Sequence, residues 1–271
     1  DKALDYVKSF VKKIEPPTGE SDYQAAFEKF MVAVDRDSSN QRYSRHLFMA
    51  LAERGRWEEL EGVALRRARQ FPLDWQSRLV RGMALHRLQR YADARVAFDS
   101  ALAMMDEGER EYITRFTRIL RPKASKDPQL AGGDAKTFSE LPEGQRRGLE
   151  EMYWYMNDPL TLTNENEMRL EFLARVVYAE FRWTDDDRNL RGAESDRGDI
   201  YIRYGPPDYQ VAVQGNANFQ AATLTSGATV VWSYKIGLTF FFQLQPGFAS
   251  TRLALNDQDA VEQIKQAVPV S

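Results

Sequence analysis

Apolar positions recur at three- and four-residue intervals through the first half of the chain and change to alternation near residue 200. Helices should therefore come first and a sheet last. Leu4, Val7, Phe10, Val11 and Ile14 predict an amphipathic helix that stops before Pro16-Pro17. Ser21 or Asp22 is placed to cap a second helix carrying Phe27, Phe30, Met31 and Val34. From about residue 41 a period of 34 residues pairs Ala50 with Ala84, Gly55 with Gln89, Trp57 with Tyr91, Leu60 with Ala94 and Ala64 with Phe98. Small residues at such positions let two helices approach and large ones fill the gap, while Pro72 closes the first copy.

Pro122 to Pro128 and Ala131-Gly132-Gly133-Asp134 carry loop punctuation, which predicts a linker over 126–142 between a domain at 1–125 and a second at 143–271. The second domain should open with a helix around Glu143–Met156 bearing Leu149, Met152, Tyr153 and Tyr155. A longer helix should run from a capping-type start at Asn164-Glu165-Asn166-Glu167 to about Phe181, with Met168, Phe172, Val176 and Ala179 for burial. Next comes Asp196-Arg197-Gly198-Asp199-Ile200-Tyr201-Ile202-Arg203-Tyr204-Gly205-Pro206-Pro207-Asp208. Its alternation predicts a strand with Ile200, Ile202 and Tyr204 on one face and Tyr201 and Arg203 on the other. Two prolines end it and display Asp208 at a defined place. Thr229–Tyr234 and Leu238–Leu244 read as strands joined at Ile236-Gly237, with a possible edge at Thr251–Leu255. The fold class expected is α+β: an N-terminal α-helical repeat domain followed by a small mixed domain with a mainly antiparallel sheet. Phe240, Phe241 and Phe242 in succession predict that both faces of their strand are covered.

The Asp196–Asp208 run resembles the GWxTD domain, a bacterial module of uncharacterised activity, in its Arg-Gly, strand and Tyr-Gly-Pro-Pro-Asp half. The family's eponymous tryptophan corresponds to Ala193 and its threonine to Ser195. Arg175, Tyr178 and Ala179 upstream, with Val231 to Tyr234 and Gly237 to Phe242 downstream, extend the resemblance over roughly residues 145–255. The 34-residue period is similar to the tetratricopeptide repeat, whose small, aromatic and proline positions correspond to Ala84, Tyr91, Ala94, Phe98, Ala101 and Pro72; Gly82 also fits. These resemblances imply an interaction or assembly subunit of a hetero-complex in the bacterial cell envelope, periplasmic or lipid-anchored.

Composition narrows the chemistry. The 271 residues hold 43% hydrophobic side chains, a net charge of -3 and no cysteine, so disulfides, thiolate metal sites and cysteine nucleophiles are absent. No stretch approaches the ~18 apolar residues of a membrane span. The chain starts at Asp1 without a charged-then-apolar leader, as expected of a processed or trimmed protein. Residues 41–98 contain twelve arginines, no lysine and six acidic residues, a local excess of six positive charges. Arg78 and Arg81 are thus candidates to meet an acidic protein face, whereas no nucleic-acid module is visible.

Candidate chemistry is sparse. Asp185, Asp187, Asn189 and Asp196 follow an EF-hand count, but Leu190 replaces the required glycine and Asp196 the bidentate glutamate, so no metal is assigned. His46 and His86, the only histidines, read as polar positions on repeat helices, and no catalytic residue or cofactor is assigned. Arg197-Gly198-Asp199 matches a cell-adhesion tripeptide but belongs to the longer fingerprint. Tyr201, Tyr204 and Trp232 are candidates for partner contact through an aromatic sheet, beside Glu194, Asp196, Arg197 and Asp208. The same acidic and aromatic groups support a competing reading, a hydrolase or carbohydrate-binding module around Asp196–Asp208.

Overall fold

Helix starts recur 34 positions apart. In the computed structural model, α1 (Gln41–Glu53) and α3 (Trp75–Arg87) are so related, as are α2 (Trp57–Gln70) and α4 (Tyr91–Met104). The structure describes residues 28–120 apart from 30, 33, 35 and 38, then 138–159, 163–213, 229–244 and 251–253. The helix expected over Leu4–Ile14, the cap at Ser21 or Asp22, Phe27 and Phe30, the linker stretch up to residue 137 and Leu255 lie outside these residues. After α4 come α5 (Glu107–Thr114), α6 (Glu143–Met156), α7 (Glu167–Trp183) and α8 (Asp196–Tyr204). Strands β1 (Tyr209–Val213), β2 (Thr229–Ser233), β3 (Thr239–Leu244) and β4 (Thr251–Leu253) follow. The fold is α+β, and its sheet is a four-stranded antiparallel meander in chain order.

Two compact units divide the chain, one ending at Arg182 and one running on from Trp183. The division falls C-terminal to the 126–142 stretch, so α6 and nearly all of α7 belong with the repeat helices. In this N-terminal unit the turns inside the helix pairs match atom for atom. Gly55 and Gln89 both adopt left-handed conformations, at φ 66° and 59°. Arg56 N donates to Leu51 O at 3.0 Å, and Arg90 N donates to Leu85 O at 2.9 Å. Each arginine pairs three residues ahead, with Glu59 and with Asp93.

Asn40 caps α1 by accepting from the amides of Arg42 and Tyr43. Asp74 caps α3 through Ser77 N and also accepts from Arg67 of α2 at 2.7 Å, with both side chains almost fully buried. That pair locks one helix hairpin to the next. Gly82 lets α3 and α4 close up, since a Cβ there would fall 2.6 Å from the Phe98 ring. Leu51, Leu60, Leu79, Leu85, Phe98 and Ile113 fill the core around them.

α7 starts at Asn166, whose Oδ1 accepts from Arg169 N while its Nδ2 donates to Trp154 O. Leu170, Leu173 and Val177 are buried along one side and Phe172, Val176 and Ala179 along another, whereas Met168, expected inside, is exposed. The helix is held from α1, α3 and α5. Phe48 packs on Phe181, Glu53 pairs with Arg182, Arg87 reaches Glu171 at 3.3 Å, and Tyr112 donates to Glu180 at 2.9 Å. Arg95 completes the set by approaching Glu165 at 3.4 Å. Part of the positive excess of residues 41–98 is thereby balanced by acidic groups of the same chain.

His86 is buried here, packed on Tyr91, with Nδ1 3.4 Å from Glu171. Desolvation outweighs the attraction of that carboxylate, which Arg87 and Arg175 also share, and holds the imidazole down to about 4. With the folded value below the ordinary 6.5, the unfolded chain binds the proton first as pH falls. The stability contributed by neutral His86 should therefore be complete above pH 6.5 and lost progressively towards pH 4. Thermal unfolding of wild type and His86→Gln between pH 7 and pH 4 should show a shallower pH slope in the variant.

Candidate functional site

The fingerprint run is a helix, not a strand, and this corrects the alternation reading. Ser195 caps α8, its Oγ accepting from Gly198 N at 3.0 Å and donating to Gly192 O at 2.6 Å. Asp196 and Asp199 occupy the first turn, Arg203 pairs with Asp199 at 2.8 Å near the last, and Gly205 ends the helix at φ 76°. These are the charge and capping preferences of a helix. Ile200, Tyr201 and Ile202 are all buried, which no strand with one solvated face would do. At 1.5 Å rise per residue, α8 also brings its ends far closer than an extended strand of the same residues would.

Each flank of the fingerprint has a structural task. Gly198 sits against the turn at Gly192–Glu194, with no space for a side chain. Tyr234 donates its hydroxyl to Gly205 O at 3.0 Å, which fastens the helix end to the sheet. Asp208 accepts from Lys235 N at 2.7 Å and pairs with the Lys235 ammonium at 3.3 Å, fixing the turn that follows β2. The backbone amide, first, and the lysine together hold the Asp208 carboxyl below its usual range.

Nor is the aromatic set a free surface. Trp232 is 2% exposed, with ring centroids 5.5 Å from Trp183, 6.5 Å from Tyr201 and 4.8 Å from Phe242. Tyr201 is likewise buried, and the Arg197 guanidinium lies 5.6 Å over Phe242. Trp232 and Tyr201 are therefore core of the C-terminal unit, a correction to their expected role as contact residues. Tyr204 is partly exposed and lies against Tyr234 and Phe240. Phe241 and Phe242 are both buried, so both faces of β3 are covered as expected. Ala193 is 1% exposed.

Glu194 and Asp196 are exposed at the start of α8, whereas Asp208 is engaged at the turn after β2. Residues 185–190 close into a tight turn, with Asp185 and Leu190 exchanging backbone hydrogen bonds at 2.9 Å and 3.0 Å. Among the described residues no group of three or more acidic or histidine side chains could hold a metal ion. In the N-terminal unit, Arg81 is paired with Glu61 at 2.7 Å and Arg78 donates to Asp74 O at 3.2 Å. Both cations serve the helix pairs.

A different surface stands out on α6. Its apolar stripe, Leu149, Met152, Tyr155 and Met156, follows three- and four-residue spacing and should by pattern face inward. It faces out: Tyr155 is 77% exposed and Met156 74%. The buried residue is Trp154 on the charged side, with its indole donating to Glu150 and its ring against Phe116 and Phe172. The sequence marks the stripe but carries no sign of its direction, because the contacts of Trp154 and Tyr153 with Phe116 decide which side turns in. No family model, curated protein or solved structure matches this chain.

Proposed function

We propose that the chain is a non-enzymatic interaction subunit that joins a hetero-complex through its helical unit. The outward apolar face of α6 carries this reading. Four large apolar side chains on one helix face lose free energy in water and regain it against a partner. The repeated helix pairs, read as tetratricopeptide-like, supply the rigid frame, and the GWxTD-like unit is a second module attached to it. A bacterial envelope location rests on that resemblance alone.

Met152→Asp combined with Tyr155→Asp should leave thermal unfolding unchanged, because neither side chain is buried. It should weaken partner association by about 30-fold or more, the effect of losing a hot spot of ~2 kcal/mol. Cross-linking and mass spectrometry in native extract should place wild-type cross-links around α6 and find them depleted in the variant. Partners retained at wild-type yield by the folded variant would overturn the assignment.

A further inference from the structure

A depression of about 370 Å³ opens in the N-terminal unit between the start of α4 and the turn that leads into α7. Tyr91, Asp93, Thr163, Glu165 and Glu167 line it, together with Arg90. Its charges are unevenly matched. Arg90 and Asp93 neutralise each other at 2.6 Å, and Glu165 approaches Arg95, which also reaches Asp99. Glu167 has no such counter-charge among the described residues. The residue is only 6% exposed; its Oε1 accepts from the Thr163 hydroxyl at 2.8 Å, and its Oε2 has no hydrogen-bond partner. A buried carboxylate oxygen left unsatisfied is costly, and Glu167 is one of the residues that line a cavity with an excess of negative charge.

We propose that this depression binds an alkylammonium or guanidinium group, carried by a lysine or arginine side chain of a peptide segment. The group would bring the charge and donors that Glu167 lacks. The Tyr91 ring offers a face for a cation, and its apolar surface suits the methylene stem of a basic side chain. The volume far exceeds that of a bare metal ion, and the excess of carboxylates repels anions. This site does not depend on the α6 face.

The test is an amide NMR titration of the full chain with N-acetyl-lysine methylamide, N-acetyl-arginine methylamide, putrescine and, as uncharged isostere, N-acetyl-norleucine methylamide. Shifts should appear at residues 89–93 and 163–167 with the two basic amides and not with norleucine. Glu167→Gln should weaken binding by about tenfold or more. Ala92→Trp, at an exposed lining position, should block the depression without touching a carboxylate and abolish the same shifts even if Glu167→Gln folds poorly. Shifts that survive both variants, equal binding of norleucine, or no shifts at these two segments would overturn the proposal. Binding of putrescine alone would overturn the peptide source in favour of a free polyamine.

Discussion

Trp232→Ala should lower the stability of the C-terminal unit by about 3–5 kcal/mol, the usual loss for a large ring removed from a core. Trp183, Tyr201 and Phe242 surround the indole, and the residue is 2% exposed, so the variant would leave a cavity that strands β2 and β3 cannot close. Trp232→Phe should keep most of the stability. The indole N–H has no hydrogen-bond partner, so nothing polar is lost when it goes. Urea unfolding followed by far-ultraviolet circular dichroism would rank the two variants. Equal stability of wild type and Trp232→Ala would instead mean that the ring does not belong to the core.

Gly198→Ala should destabilise the same unit by roughly 2–3 kcal/mol, although helix propensity alone would favour alanine by about 1 kcal/mol. The added Cβ would lie 2.1 Å from Gly192 O and 3.1 Å from the Ala193 Cα. Neither is a flexible side chain, and Gly192 O is already fixed by the Ser195 hydroxyl at 2.6 Å. The clash therefore outweighs the propensity gain. Gly148→Ala in α6, where nothing lies within 4 Å, isolates the propensity term and should be neutral or stabilising in the same urea midpoint measurement. A Gly198→Ala midpoint at or above wild type would show that the 192–194 turn can yield.

The contrast between α8 and β2–β3 shows what could be read from residues alone. Thr229–Ser233 and Thr239–Leu244 carry alternation, β-branched and aromatic side chains and a glycine turn, and every one of these signals agrees. In α8 the signals compete. Ile200-Tyr201-Ile202-Arg203-Tyr204 alternates like a strand, while Ser195, Asp196, Asp199, Arg203 and Gly205 are the caps and terminal charges of a helix. Tertiary contact settles it, through the fit of Gly198 on Gly192 and of Tyr201 on Trp183, and neither pairing has a local signature.

The helix starts at Trp57 and Tyr91 and the left-handed turns at Gly55 and Gln89 follow from spacing, because a repeated turn must meet the same steric demand twice. The direction of the α6 stripe, the burial of His86 and the spare oxygen of Glu167 depend on which helix lands beside which. Of the expected contact residues, Trp232 and Tyr201 became core, Asp208, Arg78 and Arg81 became fasteners, and Glu194 and Asp196 stayed on the surface.

α7 touches α1, α3 and α5 through Phe181, Arg182, Glu171 and Glu180, so those helices already hold a helical occupant drawn from their own chain. An incoming peptide would have to displace a competitor tethered within the same chain, whose binding is intramolecular and so favoured over that of a free peptide. Only a binder whose intrinsic affinity surpasses that handicap could take its place, and weak acidic peptides would be turned away however well their charges matched.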